Sequence, residues 1–183
     1  MRPLSSNQLL NTALGLALIA ITIILFISFH QSRKIRESST RVDHTRGVIQ
    51  LIQKQTITAL ELQAAARGYV MTGRESNVQK FKEVKGSMNA SLLSLKSLIT
   101  DNPIQLNLFD SLNYYMKKRA EISNELISLR QQNRTNQANE LVAAGLGKFY
   151  IDKIRETGTA MEKIENDLLY KRKKANDDSI RNL

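Results

Sequence analysis

The chain has 183 residues, with 27 Lys plus Arg against 17 Asp plus Glu and a formal net charge of +10. It has no Cys, no Trp, only 2 Pro, and His only at positions 30 and 44. Disulfide scaffolds, thiol nucleophiles and Cys-held metal centres are therefore excluded, two His do not make a His-rich metal site, and no metal or cofactor is expected.

Residues 1–8 read as a short N-terminal tail. Between Pro3 and Ser32 there is no Asp, Glu, Lys or Arg, and Leu9 to Phe29 is an apolar run broken only by Asn11, Thr12, Thr22 and Ser28. A helix rises about 1.5 Å per residue, so about 20 residues cross a hydrocarbon layer of about 30 Å. Residues 9–29 are therefore expected to form a transmembrane helix. A cleaved signal peptide has a shorter apolar core and a small-x-small site, and the sequence ISFHQSRK after the run offers none. Charge does not decide the orientation. Arg2 flanks one side and Arg33, Lys34, Arg36, Arg41 and Arg46 the other, and the positive-inside rule is weak for long translocated domains.

From Gln31 onward apolar residues recur every three to four positions, the period of amphipathic helices. The first helix carries Ile35, Val42, Ile49, Ile52, Thr56, Ala59, Ala66 and Val70 on a near-heptad stripe and is expected to run from the membrane to about Met71, stopping at Gly73. A second helix is expected over Glu75 to Ile99, with Val78, Phe81, Val84, Met88, Leu92, Leu95 and Ile99 facing a core. Asp101 or Asn102 can cap a third, which starts at Pro103 and runs to about Gln132. A polar patch, QQNRTNQAN, and a short helical piece around Leu141 and Val142 follow. Gly145 and Gly147 break that piece, and a last helix from about Phe149 shows Ile151, Ile154, Met161, Ile164, Leu168 and Ala175.

No segment reads as a strand. The expected fold is all-α: the transmembrane helix continues into an antiparallel, up-down-up-down four-helix bundle over residues 31–183. In that topology both ends of the bundle sit at the bilayer. The basic clusters Arg33, Lys34, Arg36 and Lys171, Arg172, Lys173, Lys174, Arg181 then come near lipid head groups, so membrane lipid is an expected partner.

Three stretches resemble the CHASE family of extracytoplasmic sensory domains, specifically its third class. They are Val42, His44, Thr45 and Val48; the corner ARGYVMTGRE at Ala66 to Glu75; and the ending GKFYIDKIRETGTAMEKIENDLLYKRKK. The resemblance implies a four-helix sensory bundle between two membrane spans, as in sensor histidine kinases, nucleotide cyclases and chemotaxis receptors. It implies an inner-membrane protein with the bundle on the periplasmic side, and a cytoplasmic output domain following a second span beyond Leu183. At the corner, Gly68 permits close approach of another helix, Thr72 and Gly73 end the first helix, and Arg67 and Tyr69 are the candidate ligand contacts.

Other constellations carry less. Gly145, Gly147 and Lys148 suggest a phosphate loop, but a Walker loop needs Gly at 142 and Ser or Thr at 149, where Val and Phe stand. His44 reads as a helix-surface His, since an autokinase needs Gly-rich ATP-binding boxes. Glu162, Glu165 and Asp167 lie among lysines at helical spacing and read as salt-bridge partners, not as an acid–base pair. The basic charges are spread along helices without interleaved aromatics, so nucleic acid is not an expected partner. Asn89 and Asn133 match glycosylation triplets that a bacterial sensor leaves unused.

The expected function is thus a membrane-anchored sensory module, not an enzyme. It would relay a stimulus or ligand of unknown identity to an output domain by helix movement, as a homodimer through its long first helix. The alternative is a membrane-tethered structural or interaction bundle that senses nothing.

Overall fold

The computed structural model describes residues 6–181. They form α1 (Ser6–Thr72), α2 (Glu75–Leu98), α3 (Pro103–Gln131), α4 (Thr135–Ala143) and α5 (Leu146–Arg181), with no strand among the described residues. Of the tail expected over residues 1–8, residues 1–5 lie outside the described residues, and Ser6 to Gln8 are already helical.

Local chemistry sets the helix ends. α1 stops where Gly73 takes φ +66, a left-handed conformation that a side chain makes costly, and the Gly73 N–H bonds the Tyr69 carbonyl at 2.8 Å. The Asn102 side chain caps α3, accepting from the Ile104 and Gln105 N–H groups at 3.2 Å, and Pro103 takes the first helical position. α3 ends in a Schellman-type turn: Asn133 adopts φ 60, the Asn133 N–H bonds the Arg130 carbonyl, and the Arg134 N–H reaches back to Leu129. Gly145, at φ +75, separates α4 from α5.

The chain forms two compact units, Met1–Val42 with Arg172–Leu183, and Asp43–Lys171. In the second unit four helices share one core. Gln55 meets Ser91 and Gly68 meets Asn77, so α1 and α2 run in opposite directions. Lys96 lies over the Phe109 ring, turning α3 back along α2. Gln105 bonds Glu165 and Gly147 touches Arg119, so α5 runs opposite to α3, and Gly158 packs on Ile52, so it also runs opposite to α1. Ser123 bonds the Leu62 carbonyl, the parallel diagonal of an up-down-up-down bundle. Short α4 lies on α3 with Ala138 buried. Leu62, Leu95, Leu112 and Ile154 are fully buried, each stabilising the fold by about 1.5–3 kcal/mol.

All seven residues expected on the core face of α2 are buried. The α1 stripe is wider than its expected heptads. Val48, Leu62, Ala65 and Tyr69 are buried as well, with Thr45, Gln55 and Thr58. A helix that touches three others buries more than one heptad seam. On α5, Ile164 and Leu168 are half-buried and Ala175 is exposed. That helix also begins earlier than expected, at Leu146, because Gly147 lies in its first turn and only Gly145 breaks the chain.

In the first unit, Leu14–Arg33 has a mean hydropathy of 2.1 and none of it is buried. It is long and apolar enough to cross a membrane. Leu16, Phe26 and Phe29 are each about two-thirds or more exposed. Here α5 again touches α1: the Arg172 Nη1 donates to the Arg41 carbonyl at 3.0 Å.

Candidate functional site

The α1–α2 corner is held by short polar contacts. The Thr72 hydroxyl donates to the Gly68 carbonyl at 2.6 Å and accepts from the Arg74 N–H and from Asn77 Nδ2, both at 3.2 Å. A Cβ on Gly68 would stand 3.0 Å from Asn77 Oδ1, so α2 begins close against the α1 backbone. Tyr69 is 8% exposed and belongs to the core, whereas Arg67 is exposed. The two candidate ligand contacts therefore occupy different environments: one side chain points inward, the other toward solvent. Arg130 brackets the corner from α3, near Gly73, and its Nη1 donates to Thr135 Oγ1 at 2.6 Å.

Deeper in the bundle the core contains polar side chains that join the helices. Gln55 of α1 is fully buried, and its Nε2 donates to Ser91 Oγ at 2.7 Å and to the Leu51 carbonyl at 3.0 Å. Gln105 of α3 is also fully buried, and its Nε2 donates to Glu165 Oε1 at 2.9 Å and to the Met161 carbonyl at 3.0 Å. The side-chain carbonyl oxygens of both Gln55 and Gln105 lack a donor. Glu165 is buried and accepts from Gln105 across the α3–α5 contact.

Arg119 is the largest fully buried side chain among the described residues, 1% exposed. Its Nη1 donates to Ser123 Oγ at 2.8 Å, and that hydroxyl donates to the Leu62 carbonyl at 3.2 Å, tying α3 to α1. Its Nε has no acceptor, and no carboxylate among the described residues lies within ion-pair distance. Loss of hydration, and secondarily the like charge of Arg67, lower its pKa to about 10. On the α5 side, the Cβ position of Gly147 is 3.6 Å from the guanidinium carbon.

Sequence reasoning did not single out Arg119, because KKRAE reads as a charged surface run. Its spacing carried the signal. Leu112, Met116, Arg119, Ser123 and Leu126 fall at steps of three and four on the buried face of α3.

A groove of about 270 Å³ lies between α2 and α3, with Lys85, Asn89, Lys117 and Asn124 among its lining residues. No group of His, Asp and Glu that could hold a metal ion is present among the described residues.

The family model described as the CHASE3 domain matches residues 38–175. No curated protein matches the chain. Among solved structures, the sensor domain of the Rhodopseudomonas palustris histidine kinase HK9 is similar, with a TM-score of 0.63 and 20% identity. The match covers 68% of this chain and 97% of that one, and at this identity it speaks to the fold alone.

Proposed function

The chain belongs to the CHASE3 domain family, and from that premise we propose that it is the input module of a bacterial membrane receptor. In this reading residues 9–29 anchor it in the inner membrane, and the bundle of residues 31–183 lies on the periplasmic side. A stimulus alters helix packing, and α1 and α5 carry the change to a cytoplasmic output domain. A kinase is one of the outputs that this reading admits, as in the receptor from which the similar sensor domain comes.

One observation carries the reading. α1 and α5 meet in the bundle at Ile52–Gly158, and α1 runs without a break from there into the apolar segment Leu14–Arg33, so a displacement of α5 against α1 has a continuous helix to act on. Packed helices move by about 1–2 Å in such transitions. The buried contacts Gln55–Ser91, Gln105–Glu165 and Ser123–Leu62 join α1 to α2, α3 to α5 and α3 to α1, so a shift of α1 against α5 would have to strain or exchange some of them.

Homodimerisation through α1 is part of the proposal. Ile57, Leu60 and Met71 are exposed on α1 although its other face is buried in the core. Ile57, Ala64 and Met71 are spaced by sevens, the repeat of a helix–helix seam. Lys171, Arg172, Lys173 and Lys174 lie near the end of α5, where anionic head groups would attract them.

Fusion reporters on the full chain test the topology. Alkaline phosphatase joined after Leu183 is expected to be active, a fluorescent cytoplasmic protein joined there to be dark, and the chain to stay with membranes through an alkaline carbonate wash. The opposite reporter pattern overturns the reading.

A further inference from the structure

We propose that Arg119 anchors a binding site for a small carboxylate-bearing ligand, formed by its guanidinium with Arg67, Ser123 and the start of α5 at Gly147. The proposal deepens the input-module reading and rests on it for its purpose, but not for the binding itself.

The first argument is charge. A guanidinium that is 1% exposed normally has a carboxylate against it, and this one has none among the described residues. Its electrostatic surroundings are positive as well. Arg67 adds a like charge, and α5 begins beside it with no acidic residue in its first turn. The start of a helix carries a partial positive charge and N–H groups with no acceptor inside the helix. Lys148, in that turn, is engaged with Asp152 at 2.6 Å. Three sources of positive potential thus converge where the protein supplies no anion.

The second argument is geometry. Ser123 occupies Nη1 and fixes the plane of the guanidinium, while Nε lacks an acceptor. The Nε–Nη2 edge is the fork that accepts a carboxylate through two parallel hydrogen bonds. Gly147 brings the α5 backbone to the guanidinium, and its Cβ position, 3.6 Å from the guanidinium carbon, is one a side chain would fill. A carboxylate at this edge would accept from Nε and Nη2 of Arg119, close to the positive start of α5, with Arg67 adding to the positive potential that draws it.

Burial supplies the link to signalling. An anion reaches a side chain this enclosed only if the helices around it part, so occupancy and packing are coupled. A ligand shifts a conformational equilibrium only by its difference in affinity for the two states, and here that difference is built in.

The test uses the full chain in detergent and its thermal unfolding by circular dichroism. The probes are sodium acetate, succinate and benzoate, each against chloride at matched ionic strength. The expected result is a saturable rise in Tm with at least one carboxylate, about 5 °C or more at a hundredfold excess over Kd. The rise should be absent in Arg119→Met and its midpoint about tenfold higher in Arg119→Lys, which keeps the charge but not the fork. Arg67→Gln, at an exposed position, should weaken binding while leaving the fold intact, so the proposal stays testable even where Arg119→Met does not fold. No carboxylate response beyond chloride, or a response in Arg67→Gln and in the Arg119 variants equal to that of the native chain, overturns the site. Carboxylate binding with an inactive phosphatase fusion would leave the site standing and remove the input reading; an active fusion with no carboxylate response does the reverse.

Discussion

Gly158 of α5 lies against Ile52 of α1, so close that a Cβ at 158 would stand 3.5 Å from the isoleucine Cγ2 and 3.8 Å from Thr56 Oγ1. α1 and α5 touch here with no side chain contributed by α5. A relay by sliding or rotation depends on this seam staying mobile.

The seam can be locked. The chain has no Cys, so Thr56→Cys with Gly158→Cys gives a single thiol pair on neighbouring helices. In a receptor carrying this chain ahead of a second span and a kinase, oxidation is expected to hold output at one level and reduction to restore its response. A cross-linked receptor that still responds fully rules out relative movement of α1 and α5 as the signal.

Arg119→Met should raise stability in the absence of added anion, by about 2–3 kcal/mol, because a buried charge without a counter-charge is replaced by an apolar side chain. Ser123 keeps its bond to the Leu62 carbonyl, so no donor is orphaned. The pH dependence has a definite sign. The folded-state pKa, about 10, lies below the ordinary arginine value, so between the two the unfolded chain binds more protons and folding gains stability as pH rises. Below about pH 10 the penalty is present in full. The advantage of Arg119→Met over the native chain, measured by denaturant unfolding, should therefore shrink above pH 10. A variant less stable than the native chain at pH 7 would show that the guanidinium is already compensated.

The two glycines of the first corner should respond differently to alanine. Gly73→Ala forces a side chain into φ +66 and is expected to cost about 1–2 kcal/mol. Gly68→Ala is helical and meets the end of a flexible side chain, Asn77. Its gain in helix propensity, about 1 kcal/mol, offsets the lost Asn77–Thr72 bond, so the net change should be near zero. Urea midpoints of the two variants decide the order.

Gln55→Leu and Gln105→Leu make a matched pair in the core. Gln55 meets Ser91, whose hydroxyl also donates to the Met88 carbonyl at 3.4 Å, and carries an oxygen without a donor. Leucine there should be neutral or stabilising. Gln105 donates to Glu165, a buried carboxylate, and its loss should cost about 1–3 kcal/mol. Equal effects in thermal unfolding would refute the distinction.

The helices were legible because their ends are written locally. Gly73 stops α1, Asn102 and Pro103 start α3, and the α2 face repeats at threes and fours without interruption. The α5 boundary was misread at Gly147, since composition does not tell a glycine that breaks a helix from one that admits a guanidinium. Arg119, Gln105 and Glu165 were hidden for a related reason. A polar residue on a buried stripe looks like a surface residue until the partner helix is known, and its partners lie 4, 56 and 60 residues away in the bonds that identify them.

The corner at Thr72 and Gly73 also bears on how the molecule is made. Gly68 and Asn77 are nine positions apart, so the first hairpin closes a small loop and can assemble as soon as α2 has left the ribosome. Arg41 and Arg172 are separated by 131 positions, and their pairing must wait until nearly the whole chain has been synthesised. During that interval the α1 surface destined for α5 is uncovered, which leaves the nascent protein open to proteases and to mispairing with another copy until its last helix arrives.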